Sequence, residues 1–154
     1  MRFETFERGL LQSLKEILPE AMLLVEGRTG GYFCMANHVG TPLLIFWFGE
    51  MPREKARKYF HLCQEKAARL ALHYEHCLSF ESRDPGLDRW GGAVRTRNGI
   101  LSFSGFPEDL DEAAMLVLSL VIEGLSEEDA ARFAQLSQNQ YFPKLQEAVA
   151  ELQT

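Results

Sequence analysis

The chain is poor in cysteine and has no long apolar run, and both absences narrow what it can be. Its three cysteines are too few, and odd in number, for a disulfide framework, so we expect a reducing, cytoplasmic location. No apolar run approaches the roughly 18 residues that cross a bilayer. Acidic residues are interspersed through residues 1–8, where a secretory signal has an uninterrupted apolar core. We therefore expect no membrane association.

Basic residues are scarce towards the end of the chain. Residues 1–100 hold 14 Lys and Arg against 12 Asp and Glu, whereas residues 101–154 hold 2 against 10. Nucleic-acid binding needs a basic surface that displaces counterions from phosphates. A net charge of −6 with this distribution supplies no large basic surface, so we predict no nucleic-acid partner.

The chain does have the composition of an ordinary soluble globular protein, with 46% hydrophobic and 25% charged residues. A length of 154 residues is enough to bury a core. No internal repeat, low-complexity segment or linker interrupts the sequence. We predict a single domain over residues 1–154.

Asn98-Gly99, between two β-prone runs, is a strong signal for a β-hairpin, because both central residues of such a turn take positive φ. A two-residue loop would place Arg97 opposite Ile100 and Val94 opposite Phe103. One face of the hairpin would then belong to the core, and the other would be half polar.

The hydrophobic periodicity predicts the remaining elements. It indicates a helix over residues 3–18, two or three strands between residues 21 and 48, a long basic helix over 52–76, and two or three helices after Pro107. In the 52–76 helix, Lys66 is expected to lie off the apolar stripe. Gly124 is expected to end the helix that Pro107 opens, and Ser126 to cap the next. This order predicts an α+β fold, an antiparallel sheet of about five strands with helices packed on it.

The segment Leu43–Phe48 is continuously apolar and does not alternate, which predicts a strand covered on both faces. A chain this small covers both faces with helices, or covers one of them with a second subunit. For this reason we expect a homodimer.

Four short motifs occur in a distinctive order along the chain: Lys66-Ala67, Gly91-Gly92-Ala93-Val94, Ser104-Gly105 and Asp111-Glu112. In this order they resemble the GlcG/HbpS-like family, also called the haem-degrading domain family. The resemblance covers about residues 20 to 124, and it implies a profilin-like fold and haem or a related cofactor as ligand. The sequence departs from the family pattern at Asn37-His38-Val39-Gly40, where the family often has Asp, two residues and Gly, and at Ala93, where many members have Pro.

A ligand pocket is predicted near the start of the hairpin, because glycines allow a ligand or a subunit to approach the backbone closely. Its candidate residues are Trp90, Gly91, Gly92 and Arg95, with His38 and His61 as further candidates. His38 is either a haem ligand or a solvated turn residue, and the second interpretation is favoured. His61, among basic residues on the long helix, is expected to have a surface role.

The cluster His73, His76 and Cys77 has ligand spacing that could place two or three donors near one metal ion. It lacks a zincin pattern and an evident fourth ligand, so a solvated helix end is favoured and no metal is assigned. The acidic pair Asp111 and Glu112 is explained by its place in the first turn of a helix.

No set of nucleophile, base and orienting group emerges, so an enzyme is the least favoured interpretation. The favoured function is a non-enzymatic ligand-binding or sensory module of GlcG-like fold. The alternative is an acidic dimeric chaperone or adaptor, since the size, acidity and element order are also similar to type III secretion chaperones.

Overall fold

A computed structural model describes residues 3–154, which form five α-helices and four β-strands. None of the helices in this part of the chain is both long and apolar enough to cross a membrane. The elements, in chain order, are α1 (Phe3–Met22), β1 (Gly30–Ala36), β2 (Pro42–Gly49), α2 (Arg53–Leu72), short 3-10 turns at Ser79–Ser82 and Pro85–Leu87, β3 (Ala93–Thr96), β4 (Gly99–Ser104), α3 (Glu108–Val121), α4 (Glu127–Leu136) and α5 (Tyr141–Leu152).

The strands form one antiparallel sheet in the order β2-β1-β4-β3. The α+β class is confirmed, but the described sheet has four strands and not about five. Residues 21–26 supply no strand because α1 continues past Pro19 to Met22, and the backbone N–H of Leu23 donates to the carbonyl of Pro19 at 3.3 Å. The chain then turns directly into β1.

The hairpin of β3 and β4 is confirmed, but its predicted register is wrong by two residues. Val94 pairs with Leu101 and Thr96 with Gly99, so the turn consists of Arg97 and Asn98. The hydroxyl of Thr96 explains this register, because it accepts from the N–H of Asn98 at 3.1 Å and donates to the carbonyl of Gly99 at 2.8 Å. Gly99 then takes a φ of 121°. An even shift keeps every side chain on its predicted face.

Helices cover both faces of the sheet. The larger core lies between the sheet and α3, with α1 and α5 packed behind α3. On the opposite face α2 crosses the strands. The hairpin face predicted to be half polar is therefore buried under α2. This second, smaller core consists of Cys34, Ala36, Cys63, Ala67, Leu70, Ala93 and Ile100.

β2 is an edge strand, which corrects the expectation that both of its faces are covered. Leu44, Phe46 and Phe48 pack partly against the larger core. On the α2 side of the strand, Leu43 is 47% exposed and Trp47 is 72% exposed. The long apolar run therefore leaves two large side chains in solvent within one chain. The homodimer stays a prediction.

α2 ends at Leu72, four residues before the predicted end. The guanidinium of Arg95 reaches this end from β3 and donates to the carbonyls of Leu70, His73 and His76 at 2.6, 3.1 and 2.9 Å. These bonds satisfy carbonyls that a helix end leaves without an intrahelical partner. Arg95 therefore holds the end of α2 in place.

The helical C-terminal part follows the prediction closely. α3 begins directly after Pro107, and the hydroxyl of Ser126 accepts from the N–H of Asp129 at 3.1 Å, which caps α4. The residue in the left-handed region after α3 is Glu123, with a φ of 60°, and not Gly124. Gly124 instead lies close to Thr96, where a Cβ would come within 3.0 Å of the threonine Cβ.

Candidate functional site

A cleft of about 540 Å³ lies between α2, the segment before β3 and the start of α3. This volume is within the usual range for small-molecule sites. Aromatic, cationic and acidic side chains all reach it. The residues that line it are Arg28, Lys55, Lys58, Tyr59, Leu62, Lys66, Phe80, Arg83, Trp90, Gly91, Ser104, Phe106, Pro107, Glu108, Asp109, Asp111, Glu112, Ser137 and Gln138.

A buried ion pair forms the base of the cleft. The ammonium of Lys66 donates to Asp111 at 3.0 Å and to the carbonyl of Phe103 at 2.8 Å. The other oxygen of Asp111 accepts from the N–H of Phe106 at 2.9 Å. Burial raises the pKa of Asp111 to about 6, because lost hydration outweighs the attraction of Lys66. The carboxyl is therefore mostly ionised at neutral pH, and the pair joins α2 to α3.

Lys66 was expected to lie off the apolar stripe of α2. That prediction is wrong, because Lys66 is buried, with only 1% of its surface exposed. A buried ammonium is tolerated where it is paired and hydrogen-bonded, as it is here. Gly92 makes room for the pair. It has a φ of 125°, and a Cβ at this position would lie 2.7 Å from the Lys66 ammonium nitrogen and 2.9 Å from the Phe103 carbonyl oxygen. Gly92, the second residue of Gly91-Gly92, must therefore be glycine, because a larger side chain would clash with the Lys66 ammonium and the Phe103 carbonyl.

Glu112, the next residue, is also buried and lines another part of the cleft. Burial raises the pKa of Glu112 to about 7, although hydrogen bonds from Ser137 and Asn139 favour the charged form. The Asn139 amide donates to Glu112 at 2.7 Å, while its carbonyl oxygen accepts from the N–H groups of Tyr141 and Phe142 at 3.0 Å each. Asn139 thus connects Glu112 to the start of α5.

One wall of the cleft is built around Trp90. The guanidinium of Arg83 lies 5.7 Å from the centre of the Trp90 ring and pairs with Glu108, with an Nε–Oε1 distance of 2.5 Å. Glu108 also accepts from the N–H of Gly91 at 3.2 Å. Arg69 of α2 donates to the Trp90 carbonyl at 2.5 Å. These contacts hold the indole against the cleft.

A second part of the cleft lining is basic. Lys55, Lys58 and Tyr59 project from successive turns of α2, and Arg28 reaches in from the β1 side, where it donates to the carbonyl of Gly105 at 3.0 Å. Neither Lys55 nor Lys58 forms an ion pair within the described residues, whereas Lys66 pairs with an acidic side chain. The cleft therefore presents cations that are available to an anionic ligand.

Of the residues predicted from the sequence, Trp90 and Gly91 line the cleft, and Gly92 adjoins its buried ion pair. Arg95 contacts the far end of α2. His38 lies exposed in the turn between β1 and β2, and His61 lies exposed on α2. The structure therefore brings the first two residues of the predicted set into one cavity, while Arg95 and both histidines lie outside its lining.

Sequence reasoning missed the cationic wall of the cleft. Lys55, Tyr59, Leu62 and Lys66 recur at helical spacing and share one side of α2, which is a signal that the sequence does contain. That signal could not be separated from an ordinary solvated face without knowing which helix lies opposite. Arg28 and Arg83 lie in loops and gave no pattern.

Haem iron is held in proteins by an axial His, Cys, Met or Tyr side chain. Among the described residues that line the cleft, Tyr59 is the one side chain of these types. The cleft thus does not match histidine-ligated haem.

Comparisons with known proteins support the fold. No protein-family model matches the sequence, and no curated protein is similar enough to count as a relative. A solved structure, the crystal structure of a PduOC:heme complex, superposes with a TM-score of 0.52 at 16% sequence identity. The match covers 82% of this chain and 95% of the other. At this identity the similarity concerns the fold alone.

Proposed function

We propose that the protein is a non-enzymatic binding module for a planar organic anion, which it holds in the cleft between α2 and α3. The observation that carries the proposal is the composition of the cleft walls. Lys55, Lys58 and the indole of Trp90, which is held in place by Arg83, all line this cleft. A flat ring that carries carboxylates fits such an arrangement.

The ring and the carboxylates of such a ligand would be bound by different side chains of the cleft. Aromatic rings stack on Trp and Phe side chains, which supplies apolar contact with defined orientation. Carboxylates are attracted by the ammonium groups, and inside a partly closed cleft this attraction is screened less than on an open surface. Haem belongs to this ligand class through its ring and two propionates, and the solved structure with a similar fold is a haem complex.

The experiment compares haem with metal-free protoporphyrin IX, which has the same ring and propionates. Trp47→Phe is used as the background, so that Trp90 is the tryptophan that reports binding. We expect saturable quenching of Trp90 fluorescence by both porphyrins with similar dissociation constants. Tyr59→Phe distinguishes binding through the ring and propionates from binding through the iron. If the phenol ligated the iron, this variant would weaken the binding of haem and leave that of protoporphyrin IX unchanged.

Charge reversal supplies the matched controls. Lys55→Glu together with Lys58→Glu should weaken protoporphyrin binding by about tenfold, which corresponds to about 1.4 kcal/mol. Lys15→Glu, at an exposed position on α1, should leave binding unchanged. If neither porphyrin binds, or if the α2 and α1 variants bind alike, the proposal is wrong.

A further inference from the structure

We propose that His73, Glu75 and His76 form a binding site for a divalent transition-metal ion, with Zn²⁺ as the best match. The three residues follow the end of α2, and none of them lines the cleft. The proposal is therefore independent of the proposed function. The sequence spacing of the histidines left a metal site and a solvated helix end as alternatives, and the structure adds Glu75 between them.

The geometry brings three donors together. One ligand atom from each residue lies within 4.8 Å of the other two. The Oε1 atom of Glu75 is 3.9 Å from Nδ1 of His73 and 3.7 Å from Nε2 of His76. Zinc binds nitrogen and oxygen donors at about 2.0–2.2 Å, so donors around one ion lie roughly 3.3 Å apart. The side chains must therefore rotate to bring the three donor atoms closer together when an ion binds.

The backbone that carries these residues is already fixed. The N–H of His76 donates to the carbonyl of His73 at 2.8 Å, which closes a tight turn. The guanidinium of Arg95 donates to the carbonyls of His73 and His76. The two imidazole rings stack with their centres 4.8 Å apart and 11° between their planes. The histidines are thus held side by side before any ion arrives.

His76 has a ring nitrogen to offer. The nitrogen that can bind an ion is Nε2, which lies 3.7 Å from the Oε1 atom of Glu75, whereas Nδ1 is buried and has no hydrogen-bond partner among the described residues. No protein donor therefore occupies the ring and competes with a metal. Arg95 is the nearby cation that opposes a metal ion, but its N–H groups are directed at the backbone carbonyls at the end of α2, whose helix dipole favours positive charge.

The donor set indicates the class of metal. Two imidazoles and one carboxylate form the kind of three-ligand set that leaves further positions to water, and zinc accepts it. Imidazole also suits Cu²⁺ and Ni²⁺, whereas Mg²⁺ and Ca²⁺ prefer oxygen donors alone. We therefore expect Zn²⁺, Ni²⁺ and Cu²⁺ to bind and Mg²⁺ to be rejected.

Isothermal titration of the full chain with Zn²⁺, under reducing conditions, tests the proposal. One ion should bind per chain. His73→Gln and His76→Gln should each raise the dissociation constant by at least about tenfold, because each removes a direct ligand. His61→Gln, at an exposed position on α2, is the matched control and should bind as the wild type does.

Three results would overturn the proposal: no saturable Zn²⁺ binding, equal binding by all three histidine variants, or loss of binding in Cys77→Ser but not in the histidine variants. Circular dichroism of each variant shows whether it is folded. Porphyrin binding should be the same with and without Zn²⁺, so failure of the metal site and failure of the cleft are separate outcomes.

Discussion

Glu112 shows at the scale of one residue how burial shapes this protein. Its folded-state pKa is raised to about 7, so between about pH 4.5 and 7 the folded chain holds a proton that the unfolded chain has released. By linkage, stability falls as the pH rises through this interval. The carboxyl that faces the cleft is thus a source of pH dependence.

We predict that Glu112→Gln flattens this dependence. The amide matches the protonated acid and can still accept from Ser137 and Asn139. From pH 6 to pH 8 the wild type should lose about 1 kcal/mol more unfolding free energy than the variant, since one pKa unit corresponds to about 1.4 kcal/mol. Urea denaturation at the two pH values measures the difference.

The control is Glu127→Gln, at an exposed position in the first turn of α4, which should keep the pH dependence of the wild type. Equal slopes for wild type and Glu112→Gln would contradict the assignment of a raised pKa to this residue.

At the residue scale the sequence could not have revealed Lys66, Asp111 and Glu112 as buried groups. The sequence pattern indicated that Asp111 and Glu112 are acids in the first turn of a helix and that Lys66 is part of a basic helix face. Each interpretation was sound for an isolated helix. Burial arises only because α2 and α3 flank the same end of β4 and place an ammonium against a carboxylate across it.

At the scale of elements, local signals predicted what lies close in sequence. The helix after Pro107, the cap at Ser126 and the existence of the hairpin all follow from short patterns, and the structure confirms them. The register of the hairpin does not follow, because the Thr96 hydroxyl selects the turn. The early end of α2 depends on Arg95, which comes 23 residues after Leu72 in the chain.

The edge strand β2 is the surface on which the predicted homodimer can be tested. Its unpaired edge and the exposed Trp47 and Leu43 would be covered by a second copy, since exposed edges pair readily with other strands. We predict that Trp47→Arg shifts a wild-type dimer towards monomer, with at least about tenfold weaker association. Native mass spectrometry of both proteins gives the subunit number directly.

Leu72→Arg serves as the control for that experiment, because Leu72 is 80% exposed but lies at the end of α2. It should leave the dimer intact. A wild-type protein that stays monomeric at tens of micromolar would contradict the homodimer. A spectrum in which wild type retains a polypeptide client on β2 would instead favour the chaperone or adaptor alternative.

At the scale of the whole molecule, the cleft is lined by residues from both the basic first part and the acidic last part of the chain. The basic first part supplies Lys55 and Lys58 on α2, and the acidic last part supplies the start of α3. The fold brings these two parts together because α2 and α3 both pack against β4. Lys55 and Lys58, which line the cleft, have no acidic partner within the described residues.

The most direct test of the central claim is to map where a planar anion binds. We would titrate ¹⁵N-labelled protein with protoporphyrin IX and follow the backbone amide signals by NMR. We expect the largest shifts at Tyr59, Gly91 and Phe106, which line the cleft. Shifts concentrated around His38 or Trp47, or no saturable shift at all, would contradict it.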